Sequence, residues 1–315
     1  RQRPHRGDRS RRGDQAGRAR RQYPSQRRSL RKGRPGAGHH AGADAGGAAA
    51  RSQGPAAAGG TAASAGPTAG LHPDFGSGLY AGVKIGIPYI VVAENQSLID
   101  IILDPYGAQG DPGPYPIPAN TPIEGYGAPP ADYYDRHAII VQKDLSSPNC
   151  LGNLYELFRA FPNGDYPNSV TSWNAYGCKF NMRKGDMQRH QGWTSADAAG
   201  LPIFPGLVRY DEVASAIAQD GNNGVIPHAF RFTLAPGYTA HKTIKPAQHC
   251  AGPGFGPAPF GMRVRLKASF TVPNDWPIEV KIIINTLKKY GMIMADNGGN
   301  WFLSGAPNEA WVNDE

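Results

Sequence analysis

The sequence predicts a mainly β domain, an antiparallel sandwich of jelly-roll type with one or two peripheral helices, preceded by a disordered tail. Three observations predict it. Glycine and proline are dense, at 41 and 29 residues, which favours short strands closed by turns over long helices. Apolar runs of strand length recur without any repeated strand–helix–strand period. Met262–Val272 alternates strictly, with Val264, Leu266, Ala268 and Phe270 on one face and Arg263, Arg265, Lys267 and Ser269 on the other. That period of two belongs to a half-buried strand with a cationic outer face.

The charge is unevenly spread. Residues 1–70 carry 15 of the 33 Lys and Arg against three acids, whereas the remaining 245 residues carry 18 basic and 22 acidic side chains. The high isoelectric point therefore belongs to the first 70 residues, and it gives no argument that the folded part binds nucleic acid. Those 70 residues lack Val, Ile, Phe, Trp and Met and hold a single Leu, Leu30. They cannot bury enough apolar surface to offset chain entropy and are expected to be disordered. Residues 71–315 are expected to form one globular domain. They hold no run of 18 apolar residues, so no membrane span is expected.

Taken in order, Gly86–Val92 and Leu98–Leu103 read as two strands joined at Glu94-Asn95-Gln96. Asp104–Pro130, rich in Pro, Gly and Tyr, reads as an ordered surface loop. His137–Lys143 is an apolar strand, Leu154–Phe161 fits strand or helix, and Val170–Phe180 is a strand. Gly192–Phe232 holds the densest set of chemically specific residues. Its Pro and Gly bracket a rigid apolar loop, and Asp211 and Glu212 open a short helix, Tyr210–Gln219, where they complement its dipole. Val225–Thr233 follows as a strand carrying His228 and Arg231. Pro277–Tyr290 is an amphipathic helix with Asn274 or Asp275 as cap, Pro277 in its first turn, Ile282 on its apolar face and Gly291 at its end. Met292–Ala295 and Trp301–Ser304 read as a hairpin across Asp296-Asn297-Gly298-Gly299.

The three cysteines, Cys150, Cys178 and Cys250, fit no paired CxxC zinc pattern. A Cys150–Cys178 disulfide and three free thiols both fit the sequence. Asn95-Gln96-Ser97 is a glycosylation sequon compatible with secretion.

The segments GWTSADAAGLPIFPGLVRYDEV, IPHAFRF, MRVRLKASF and LKKYGMIMADNGGNWFLSGAP resemble a family of uncharacterised secreted proteins. The resemblance runs from about Leu71 to Trp311 and implies an extracellular protein. His249, in PAQHC, matches the histidine that ends the family's loop after the Arg231 strand.

Several chemistries lack their motifs. There is no G-x-S-x-G elbow, so Ser195 reads as a turn or cap residue, and there is no P-loop, HExxH or EF-hand. A metal would need His137, His228 and His249 from separate segments; hydrogen-bonded wall residues are the simpler reading, and no metal or other cofactor is expected. Carboxylate chemistry is more economical. Asp135, Glu156, Asp197, Asp211 and Glu212 lie among apolar residues that raise a carboxyl pKa, and glycoside cleavage needs only two such groups. Tyr106, Tyr115, Tyr126, Tyr133, Tyr134 and Trp173 are candidate stacking platforms for sugar rings.

The expected function is therefore action on an extracellular polysaccharide, as a carboxylate-based glycoside hydrolase or a lyase of acidic glycans. The alternative is a non-catalytic carbohydrate- or wall-binding module. The candidate acid–base residues are Glu156, Asp197 and Asp211, with His228 and His249 as polar partners. Arg231, Arg265, Lys267 and Trp173 are the candidate substrate contacts. His228 and His249 are expected beside Lys267 around one concavity, with Arg231 at the rim or paired with Asp211.

Overall fold

The computed structural model describes residues 70–311, apart from residues 81, 105–106, 128–134, 148, 186 and 253. The tail expected over residues 1–70 lies outside the described residues, Gly70 excepted. The described chain is mainly β, with several sheets and two α-helices. Its elements are β1 (His72–Asp74), β2 (Leu79–Tyr80), β3 (Val83–Lys84), β4 (Tyr89–Val92), β5 (Asp100–Leu103), β6 (Ala138–Lys143), β7 (Leu151–Asp165) and β8 (Ser169–Asn181). There follow α1 (Tyr210–Asp220), β9 (Phe230–Leu234), β10 (Thr239–Thr243), β11 (Ala258–Phe260), β12 (Arg263–Val264), α2 (Ile278–Lys289), β13 (Met292–Asn297) and β14 (Phe302–Ser304). Among the described residues no helix is long and apolar enough to cross a membrane.

One five-stranded sheet runs β4-β6-β7-β8-β5, the other β1-β14-β9-β13-β12. Both are mixed rather than purely antiparallel, because β4 runs parallel to β6, β5 to β8, β1 to β14 and β9 to β13. The two strands expected to neighbour each other across Glu94–Gln96 instead form opposite edges, as β4 and β5. The expected C-terminal hairpin is also split, since β9 lies between β13 and β14.

The first sheet is buried on both faces. Tyr155, Leu157, Trp173 and Ala175 pack with Tyr115 and Ile117 on one side. Leu154, Tyr176, Cys178 and Phe180 pack with Ile203 and Leu207 on the other. A strand covered on both sides needs apolar residues at successive positions, which is why Leu154–Phe161 alternates only loosely. Trp173, expected as an exposed stacking platform, is fully buried in this core, and Tyr115 is buried with it. Tyr126 is exposed, while Tyr106, Tyr133 and Tyr134 lie outside the described residues.

In the second sheet Phe230, Phe232 and Leu234 turn toward Val213 and Ala216 of α1 and Ile282 and Leu287 of α2. Burying each such large side chain stabilises by about 1.5–3 kcal/mol. Both helices form where the periodicity places them, but Pro277 occupies the N-cap of α2, so neither Asn274 nor Asp275 caps it. Gly291 closes α2 at φ +69°, and a Cβ there would meet the Val264 carbonyl at 2.2 Å.

Two strands are shorter than their patterns suggest. Only Arg263–Val264 of the alternating 262–272 stretch pairs with the sheet; Leu266 N–H turns to the Leu287 carbonyl at the end of α2. Pro227 has no N–H to give to a ladder, Ile226 N–H bonds Thr286 Oγ1, and β9 starts only at Phe230. All three cysteines are free, with Cys150 exposed and Cys178 buried, so the Cys150–Cys178 disulfide is not formed.

Candidate functional site

The second sheet has one apolar face and one charged face. Arg231 and Thr233 of β9 alternate away from the helices, and register sets Asp74 opposite Ser304 on the same side. Asp296 joins them through a β-bulge. Met294 pairs with Phe232 and Asp296 with Thr233, so Ala295 is an extra residue in β13. In an unbroken register Asp296 would fall opposite Leu234 and follow Met292 and Met294 into the helix-covered core.

Arg231 organises this face. Its Nε and Nη2 donate to Asp197 Oδ2 at 3.2 and 3.0 Å, Nη2 also to Asp296 Oδ2 at 3.1 Å, and Nη1 to Ser304 Oγ at 2.7 Å. Asp197 comes from the 194–208 segment, which bonds to both sheets. Ala199 N–H donates to the Ala295 carbonyl and Val208 N–H to that of Ser304. Ile203 and Phe204 N–H donate to Glu156 of β7 at 2.9 and 2.8 Å. His137, just before β6, donates through Nε2 to the Ala196 carbonyl at 3.0 Å and through Nδ1 to Glu124 Oε2 at 2.7 Å.

Burial decides the protonation of this cluster. It pushes Asp296 up to about 7, aided by the charge of Asp197 and opposed by Arg231. Asp197 is pushed up to about 6 by burial against the pull of Arg231, and Glu156 to about 7 by burial against its backbone donors. Asp74 rises to about 6 for the same first reason, with Glu124 adding to it. Burial opposes charge on His137, but Glu124 outweighs it and holds the imidazolium up to about 10. Burial also opposes ionisation of Glu124, and the His137 charge and hydrogen bonds overcome it and lower its pKa.

Beside this cluster lies a cleft of about 440 Å³, lined by Thr194–Ala198, His249–Gly252, Asp296–Asn297, Gln109, Asp135 and Phe158. Asp296 is the member of the Arg231 network that reaches it with some exposure, at 17% of its side chain. The exposed Asp135 stands at the rim, where Arg159 N–H holds its carbonyl at 2.8 Å. Arg136, next to it, takes a left-handed φ of +54° and donates Nε to the Ala160 carbonyl, which fixes the bend between Asp135 and His137. His249 Nδ1 donates to the Ala198 carbonyl at 2.8 Å, which leaves Nε2 as the ring's open nitrogen. Burial pushes the Cys250 thiol up, so it is no ready nucleophile. Ser195 Oγ donates to the Leu201 carbonyl at 2.5 Å, the turn role expected of it.

Comparisons with protein-family models, with curated proteins and with solved structures give no match for this chain.

Of the candidate residues, the structure brings together Asp197, Arg231 and His249, with Glu156 behind them. Glu156 is fully buried under Ile203 and Phe204 and is not part of the lining, so it does not reach a substrate. Arg231 pairs with Asp197 and Asp296 and not with Asp211, which is exposed in the first turn of α1. His228 Nε2 is hydrogen-bonded to Glu212 on α1 at 3.0 Å, and neither it nor Lys267 lines the cleft. Arg265 and Lys267 are exposed where the chain has left the sheet, outside the lining. Trp173 lies in the core of the first sheet.

The residue that the sequence reading missed is Asp296, absorbed into an Asp-Asn-Gly-Gly turn. One signal was present. Met292, Met294 and Asp296 are in phase, so a charged residue stood at a core position and asked for a bulge.

Proposed function

We propose that this chain is a secreted hydrolase of polysaccharide that works by carboxylate acid–base chemistry in the cleft at Asp296. The observation that carries the reading is a partly exposed acid, held up to about 7, lining a cleft that a second carboxylate residue, Asp135, also lines. An acid raised so far above the usual carboxyl range keeps its proton toward neutral pH and can serve as a general acid. Asp296 gives its proton to the glycosidic oxygen as the C–O bond breaks. Asp135 receives the proton of the water that adds to the anomeric carbon, or meets the developing cation directly. Phe158, half-buried in the lining, offers an apolar surface for a sugar ring. We read the two five-stranded sheets as layers of a jelly-roll-like sandwich, with the 194–208 segment between them; its bonds to both sheets support that reading.

A uronate lyase needs a cation free to neutralise the substrate carboxylate. Arg265 and Lys267 are outside the lining, and Arg231 is engaged by Asp197, Asp296 and Ser304. Hydrolysis of a glycan uncharged at the scissile sugar fits better.

The test is a panel of polysaccharides and oligosaccharides assayed for new reducing ends and, in parallel, for binding. Asp296→Asn is expected to lower kcat at least a hundredfold on the cleaved member while leaving binding in place. Binding without cleavage by the wild-type chain would replace the hydrolase with a carbohydrate-binding module.

A further inference from the structure

The cleft's hydrogen-bonding groups are unequally free. Ser195 Oγ is committed to Leu201, and Thr194 Oγ1 to the Ser195 carbonyl at 3.2 Å. The Asn297 amide is used on both atoms, Nδ2 donating to the Ala251 carbonyl and Oδ1 accepting from Thr239. Gln109 is different. Thr194 N–H donates to its Oε1 at 2.9 Å. A backbone N–H has no lone pair, so the atom facing it must be the amide oxygen, and this fixes the orientation of the amide without reference to any ligand. Nε2 then carries two N–H groups with no acceptor among the described residues.

The backbone of Gln109 is held firmly. Arg189, buried behind the cleft, donates Nη2 to the Gln109 carbonyl and Nε to the Thr194 carbonyl at 2.7 Å, while Asp111 anchors the guanidinium. The Tyr176 hydroxyl lies 3.1 and 2.9 Å from the same two carbonyls. A side chain with an anchored backbone, one amide atom pinned and the other unused is preorganised for a ligand.

We infer that Gln109 is the specificity-determining donor of the cleft, giving its free Nε2 hydrogens to a hydroxyl oxygen of an uncharged sugar. The inference rests on the hydrolase reading above. The complement of the lining agrees with it. Asp135 and His249 Nε2 present acceptors, and no Lys or Arg side chain lines the cleft among the described residues. A sugar hydroxyl is both donor and acceptor: it can give its proton to those groups and take one from Gln109. A carboxylate or sulfate could only accept, and would face the carboxyls without a counter-charge.

The test uses the full chain and the neutral oligosaccharide that it cleaves. Gln109→Glu keeps the size and an oxygen for Thr194 N–H but replaces the donor with an acceptor; Gln109→Met removes both. Each is expected to raise KM at least tenfold, with kcat of Gln109→Met within about threefold of wild type, because a site built to bond a hydroxyl loses affinity when its partner goes. Calorimetric binding to the Asp296→Asn chain, with and without Gln109→Met, gives the same difference without turnover. A KM within twofold of wild type for both variants overturns the role of Gln109 and leaves the hydrolase standing. If the wild-type chain neither cleaves nor binds any neutral oligosaccharide, both readings fall together.

Discussion

Arg231 and Asp296 sit on adjacent parallel strands and share a face only because β13 carries one residue more than β9 between their aligned positions. That extra residue, Ala295, turns an acid that the pattern assigns to the core into the acid of the cleft. The two Oδ2 atoms of Asp197 and Asp296 are bound to one guanidinium nitrogen, so Arg231 holds the two carboxyls together and pulls both pKa values down against the burial that raises them.

Arg231→Met should therefore cost about 3–5 kcal/mol of folding stability, because it leaves buried carboxyls without their cation. Urea unfolding measures it. Arg231→Met, Asp197→Asn should recover part of that loss, and a double variant no better than the single one would show that the pair is not the source of the cost.

The buried acids give stability an unusual pH slope. Glu156 and Asp296 are held up to about 7 and Asp197 and Asp74 to about 6, from ordinary values near 4. The folded chain thus keeps protons that the unfolded chain has released. This contribution is full below the unfolded pKa values and is lost as pH rises through 6–7. His137, held up to about 10 from 6.5, works in the same direction, its contribution fading between those values. Glu124, held down, contributes the opposite way, but above its unfolded value that contribution is constant. The melting temperature should fall from pH 5 to pH 8, and Glu156→Gln should flatten the fall. A curve that rises over that interval contradicts these protonation states.

Ile282 tests the other face of the second sheet. It is fully buried between α1 and β9, so Ile282→Ala should cost about 2–5 kcal/mol. Lys281, one residue away, bonds only the Asn274 carbonyl through Nζ, and Lys281→Ala should change stability by about 0.5 kcal/mol or less. Equal costs by thermal unfolding would mean that α2 is rotated from this placement.

The helices were legible because their signals are local. Spacing of apolar residues, acids in the first turn of α1 and Lys288-Lys289 in the last turn of α2 all lie within one segment. The mainly β class was legible for the same reason. Strand partnership was not, because it depends on residues far apart. Nothing in Met292–Ala295 or Trp301–Ser304 announces that β9 will come between them. The arginine–aspartate pairing was half legible: Asp197 and Arg231 were both singled out, each for its own segment, but their meeting depends on a loop reaching across to a sheet. His228 misled because it neighbours Arg231 in sequence, whereas β9 begins after it and Glu212 draws its ring to α1. Arg265 and Lys267 misled because an alternating pattern continued past the point where the backbone left the ladder.

The insertion of β9 between β13 and β14 also sets a timetable. On the ribosome Arg231 leaves the exit tunnel well before the strands that flank it exist, so the nascent chain carries a central strand with both edges open. One edge waits for β13 and the other for β14, and pairing over such a separation is slow to form. During that interval Phe230 and Phe232 have no sheet neighbours and Arg231 has no Asp296. The arrival of β13 closes one edge of β9 and delivers Asp296 to Arg231 in the same step, and β14 then closes the other edge and delivers Ser304.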